Sequence, residues 1–260
     1  MPTTEFWAEA IATVKTARPD FLFLAEVYWD LEARLQTLGF DYTYDKRLRD
    51  QLVHRQPWAV QPGLREATPE FIRASVHFLE NHDEPRVAPL LTFEEHRAAA
   101  LLILGLPGLR FLNEGQLSGA RHFTRVQLGR RPTETHDPHI VELYEQLLTT
   151  LKQTAVGHGS GEVLHPTPAW AGNPTAQSFN IAQWQTAPPE FDLVVVNLAP
   201  HRGQCRVVLQ VRELARHTWQ MDDLLGDEAY QRSGNDLAND GLYLDLPAHG
   251  AQLFHFRPTS

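Results

Sequence analysis

The chain has 260 residues and a formal charge of −9 with its histidines neutral. That length suits one large domain or two ordinary ones, and the acidic balance argues against a nucleic-acid-binding surface. A single cysteine, Cys205, excludes an intrachain disulfide and fits a reducing, cytoplasmic setting. Met1-Pro2-Thr3-Thr4-Glu5 has no signal-peptide pattern, and no apolar run approaches the roughly 18 residues that span a membrane.

In chain order, Trp7, Ala10, Ile11, Val14 and Ala17 recur at helical spacing, with Thr3 or Thr4 as N-cap and Pro19 ending the run. Phe21 to Val27 is apolar on both faces, as expected of a strand buried on both sides. Asp30 caps a short helix bearing Leu31, Leu35 and Leu38, closed by Gly39. Phe40–Tyr42 reads as a strand, Lys46–Val53 as a helix and Val76–Leu79 as a strand. Thr92-Phe93-Glu94-Glu95 is a capping box opening a helix through Leu104. Leu109–Leu112 follows as a fourth strand and Pro138–Gln153 as a closing helix. Alternating strands and helices imply a parallel sheet with right-handed crossovers.

Beyond Gly157-His158-Gly159-Ser160-Gly161, which reads as a flexible break, the pattern changes. Short strands at 179–184, 193–197, 206–211, 242–246 and 252–256 are separated by turn residues. They predict an all-β antiparallel sandwich over 157–260, after an α/β domain over 1–156.

Two segments carry chemistry. Phe21-Leu22-Phe23-Leu24-Ala25-Glu26-Val27-Tyr28-Trp29 and Phe78-Leu79-Glu80-Asn81-His82-Asp83 are apolar runs that lead to a carboxylate. They resemble the general-acid strand and the transition-state-acid strand of the α-amylase family of glycoside hydrolases. Gly105-Leu106-Pro107-Gly108 and Gly115-Gln116 resemble that family's last barrel strand and the turn after it. Leu117 stands where many members carry a glutamate. The resemblance covers nearly the whole sequence. It implies the second half of a TIM (β/α)8 barrel followed by the family's C-terminal β domain.

Cleaving a glycosidic bond requires a proton for the leaving oxygen, so a carboxylic acid of raised pKa is needed. By the resemblance, Glu26 is the general acid, with desolvation near Tyr28 and Trp29 raising it. Asp83 stabilises the oxocarbenium-like transition state. His82 and Asn81 bind the same sugar, and Tyr28 and Trp29 stack on sugar faces. Standing alone, Glu26 reads equally well as a solvent-facing strand end, Asp83 as an N-cap, and Tyr28, Trp29 and Tyr44 as packing residues. Arg86 either orients Asp83 or is solvated.

The family's nucleophile lies on an earlier strand in a Gly-x-Arg-x-Asp setting, and no such segment occurs here. The resemblance therefore implies retaining hydrolysis of α-glucosidic bonds in an α-glucan or maltooligosaccharide. This chain would be a truncated product or one half of a split glycosyl-transferring enzyme, inactive alone. A non-catalytic sugar-binding or interaction protein is the competing reading. Partners would be a missing N-terminal half or a second copy. His122, His136, His139 and His201 lack metal-ligand spacing and read as surface residues, and no cofactor motif is present. A calcium site, common in that family, would draw on elements outside this chain.

Overall fold

The computed structural model describes residues 5–125, 130 and 132–259. Thr3 and Thr4, the expected caps, lie outside that range. Helix α1 (Phe6–Ala17) is capped instead by the Glu5 carboxylate, which accepts from the Trp7 amide.

Four parallel strands form one sheet in chain order: β1 (Leu24–Ala25), β2 (Tyr42–Tyr44), β3 (Ser75–His77) and β4 (Leu109–Arg110). The strands are shorter than the sequence suggests, and β2 begins two residues after Phe40. Between β1 and β2 lies α2 (Glu32–Thr37). Asp30 does not cap it, because Asp30 sits at φ 62 and Leu31 occupies the cap position. Gly39 does close the helix, at φ 104.

Three helices follow β2: α3 (Lys46–Val53), α4 (Pro57–Glu66) and α5 (Pro69–Arg73). The last two start on prolines, whose fixed φ and missing N–H suit the first helical turn. Helix α6 (Phe93–Gly105) carries the expected capping box, Thr92 with Glu95. Helix α7 (Pro138–Leu151) completes the series. No helix among the described residues is long and apolar enough to cross a membrane.

Strand alternation divides the parallel sheet into two faces. Tyr42, Tyr44, Val76, Phe78, Leu109 and Phe111 share one face and pack together. Ser75 and Leu79 project the other way, and Leu79 joins the large core built from α3, α4, α6 and α7. The aromatic rings close over one another, with Tyr44 and Phe78 centroids 5.1 Å apart and Phe78 only 1 % exposed. The expectation that β1 is buried on both faces fails, however. Phe21, Leu22 and Leu24 are 52 %, 62 % and 40 % exposed, because β1 has a neighbour on one edge only.

The remainder is antiparallel. A six-stranded sheet contains Phe179–Gln185, Phe191–Asn197 and Ala251–Pro258, and a three-stranded sheet contains Gly203–Val207 and Leu242–Leu246. Both contribute to one core around Phe191, Trp219, Phe254 and Phe256. Strands at Ser160–Leu164, Thr218–Asp223 and Ala229–Ser233, and a helix at Gly234–Asp240, escape the sequence reading. The 157–161 glycines are not merely a break. Gly157 holds φ 80, and a Cβ there would lie 2.2 Å from Arg110 Nη2.

The antiparallel part is bound tightly to the rest. Ala182, Trp184, Val194, Val196, Ala251 and Leu253 belong to the same core as α6. Trp184 Nε1 donates to the Gly105 carbonyl at 2.7 Å. Asp192, 2 % exposed, accepts from the Ala155 amide at 2.6 Å and meets His255 Nδ1 at 2.8 Å. The hydrogen bond to Asp192 raises the His255 pKa against the opposing effect of burial. That contribution to stability is present below the unfolded histidine pKa, and it is lost as pH rises through the folded value. Between pH 6 and pH 9 it should cost about 1–2 kcal/mol, a few degrees of melting temperature. Thermal melts of wild type and His255→Gln check this: the wild type should lose the larger share of its stability over that interval.

Candidate functional site

Parallel strands present their C-terminal ends on one edge, and that edge gathers the expected residues. Glu26 follows β1 directly. Its alternation with Leu24, which pairs with Tyr42, turns it toward the aromatic face. Tyr28 donates its hydroxyl proton to Glu26 Oε1 at 2.8 Å. Burial, followed by the contact with Glu26, pushes the Tyr28 phenol upward, so it remains a donor at neutral pH. Tyr44 is also raised, by burial and then by the Glu26 charge.

The loop after β3 brings in the second carboxylate. His82 Nε2 lies 3.9 Å from Glu26 Oε1 and 3.4 Å from Asp83 Oδ2. One donor atom from each of Glu26, His82 and Asp83 falls within a mutual 4.8 Å. These side chains are 38 %, 43 % and 62 % exposed. Glu26 therefore lacks the full apolar enclosure that the sequence suggests, with more than a third of its side chain open to solvent. A trio at this spacing is also compatible with a cation, but exposed acidic groups commonly cluster without one, and we assign none.

The loop is fixed by groups the sequence reading overlooked. Asn81, 1 % exposed, accepts at Oδ1 from the amides of Asp83 and Glu84, at 3.0 and 2.9 Å. Its carbonyl accepts from Asn113 Nδ2 at 3.2 Å, tying the loop to the end of β4. Asn81 Oδ1 thus shapes the turn, while its Nδ2 makes no hydrogen bond among the described residues. Glu84 pairs with Lys46 at 2.8 Å and with the buried Arg49 at 2.9 Å, both on α3. Glu80 is wholly buried. It accepts from Arg86 Nη1 at 2.8 Å and from the Val87 amide at 2.7 Å. Burial dominates and raises its pKa, although both partners favour the charged form.

Arg86 accordingly neither orients Asp83 nor sits in solvent. Its guanidinium is held by Glu80 and by the Glu114 carbonyl at 2.6 Å. Glu80 was legible in principle, since a carboxylate inside Phe78-Leu79-Glu80 needs a buried partner.

Trp29 and Asp30 both adopt left-handed backbone, at φ 64 and 62. Such geometry is costly away from glycine and concentrates at functional sites. Trp29 is 85 % exposed, with its ring edge-on to Tyr28 at 5.9 Å. Tyr44, by contrast, is a packing residue at 7 % exposure. Asp41 is no spare carboxylate for the site. It precedes β2, at the opposite edge of the sheet, where Lys15 at 2.5 Å and the Phe23 amide at 2.8 Å hold it. The larger cavities lie elsewhere: about 380 Å³ around Asp45 and His77, and about 520 Å³ around His96 and Ile140. Glu26, His82 and Asp83 line neither, and all three side chains are exposed.

No family model matches the sequence, and no curated protein matches it significantly. Solved structures do match its fold. An alpha-amylase from Geobacillus thermoleovorans, complexed with acarbose, superposes with a TM-score of 0.68 at 16 % identity, over 98 % of this chain and 57 % of its own. A noncanonic maltogenic alpha-amylase from Thermotoga neapolitana gives 0.69 at 18 %, over 98 % and 59 %. A debranching enzyme from Nostoc punctiforme, soaked with acarbose, gives 0.65 at 18 %, over 97 % and 54 %. The chain shares its fold with alpha-amylase-type enzymes and spans slightly more than half the length of each.

Proposed function

We propose that this chain is the second half of a (β/α)8 glycosidase barrel, residues 1–156, joined to a β-sandwich, residues 157–260. On this reading it supplies two of the three carboxylates for retaining cleavage of α-glucosidic bonds. Glu26 is the general acid, oriented by the Tyr28 hydroxyl. Asp83, with His82 beside it, grips the hydroxyls of the reacting sugar. The rigid Asn81 turn holds that pair, and Trp29 offers its exposed indole to a sugar face.

The observation that carries this reading is the convergence of Glu26, His82 and Asp83 within 4.8 Å at the C-terminal edge of a parallel sheet. Retention needs a proton donor and a nucleophile about 5 Å apart across the anomeric carbon. The third carboxylate, and the walls that enclose the site, would come from the strands that close the barrel. The lack of a third carboxylate beside this trio among the described residues favours a second reading. That reading is a non-catalytic sugar-binding protein, or one half of a split glycosyl-transferring enzyme.

Titrating the chain with acarbose, followed by amide NMR, tests the site. Saturable shifts at Trp29, His82 and Asp83, abolished by Asp83→Ala, are expected. Shifts absent at all three would end the sugar-site reading.

The open edges of β1 and β4 also predict association. Phe21, Leu22 and Leu24 form an exposed apolar strip beside unpaired strand backbone. Sedimentation should show dimers or larger species that dissociate in Leu22→Lys. A stable monomer with a cooperative melt would contradict the half-barrel assignment.

A further inference from the structure

A second cleft, mostly apolar in its lining with a few polar side chains, lies away from the parallel strands, where α3, α4 and α6 meet the antiparallel part. It has a volume of about 110 Å³, the scale of a single sugar ring rather than a drug-sized ligand. Trp58 forms one wall and is 65 % exposed. Its backbone is fixed in the first turn of α4, directly after Pro57. Exposed aromatics such as Phe6 and Trp29 pack on neighbouring rings, those of Trp7 and Tyr28. Trp58 differs because unused polar groups surround it.

Arg55 binds Glu95 in a fork, at 2.6 and 2.8 Å, and donates to the Leu90 carbonyl at 2.8 Å. Its Nη1 makes no hydrogen bond among the described residues. The Gln51 and Gln56 side-chain amides also line the cleft without a partner among those residues. Arg55 and Glu95 neutralise each other, so with the lining His249 neutral the cleft carries no net charge to select an ion. It offers instead a flat aromatic face with planar amide and guanidinium donors and acceptors at its rim. That set fits a neutral polyol ring, which presents C–H groups on its faces and hydroxyls around its edge.

We propose that the Trp58 cleft binds one pyranose unit of a neutral oligosaccharide, at a site separate from Glu26 and Asp83. The two sites share no lining residue, so a glucan chain can be held here while its reacting end lies elsewhere. The choice of an α-glucan as ligand rests on the function proposed above.

Calorimetric titration of the full chain with maltoheptaose tests this, using wild type, Trp58→Ala, Gln56→Ala and Asp83→Ala. Trp58→Ala should weaken binding at least about fivefold, the loss of one stacked ring, with an unchanged melt. Gln56→Ala should weaken it less, and Asp83→Ala should leave the Trp58 component intact. Unaltered binding in Trp58→Ala, or no maltoheptaose binding to wild type, overturns the proposal. If Asp83→Ala alone removes binding, this site is refuted while the reading of Glu26 and Asp83 stands. A Trp58→Ala variant that changes only sedimentation marks a contact between copies, and also overturns it.

Discussion

Maltoheptaose incubated with the purified chain is expected to remain uncut. A retaining mechanism passes through a covalent glycosyl-enzyme, and the carboxylate that forms it must face the general acid across the anomeric carbon. The nearby acids cannot take that role. Glu80 is sealed in its pair with Arg86, and Asp41 lies at the far edge of the sheet with Lys15. Glu84 is committed to Lys46 and Arg49. Glu26 also stands partly open to water, so bulk solvent reaches the site. Since such enzymes accelerate by a millionfold or more, the deficit should be complete on any practical timescale. Product analysis by anion-exchange chromatography checks this. Robust cleavage abolished by Glu26→Gln would show that another group serves as nucleophile.

Arg86→Leu should be the most damaging single substitution in the α/β part. It would leave Glu80 buried and unpaired, and would remove the donor to the Glu114 carbonyl. Breaking a buried pair in this way costs about 3–5 kcal/mol. The loop bearing His82 and Asp83 should loosen with it, since Glu80 also accepts from Val87. Glu80→Gln should be costly too, because the buried Arg86 guanidinium stays charged and is left with only neutral acceptors. Denaturant melts of both variants and of Glu80→Leu/Arg86→Leu would separate these effects. The double variant should recover most of the loss.

Much of this architecture could be read from the sequence, because the parallel part obeys local rules. The Thr92–Glu95 capping box, the Asp45 cap of α3 and the left-handed Gly39 each mark an element end. Helices α4 and α5 were hidden because Pro57, Pro62 and Pro69 look like breakers, whereas Pro57 and Pro69 begin helices. The burial of β1 was misjudged for a different reason. An apolar run reports what a strand is built to contact, not whether its neighbour is present. In the antiparallel part, Thr218–Asp223 alternates well but is polar on one face and lies among turn residues, which mask it as a strand. At the site, the carboxylates were legible as strand-end acids. The Glu80–Arg86 pair is harder to read: Glu80 stands out as a buried carboxylate, but no helical or strand periodicity across the separation of six positions names Arg86 as its partner.

Complementation tests the central claim most directly. The chain is mixed or co-expressed with a separately encoded α-amylase segment that carries the first four barrel strands and the Gly-x-Arg-x-Asp aspartate. Release of reducing ends from maltoheptaose is then measured, with Glu26→Gln and Asp83→Asn as controls. The account predicts that cleavage appears only in the mixture and is lost in both variants. A stable complex that stays inactive, or activity indifferent to Glu26 and Asp83, would contradict it.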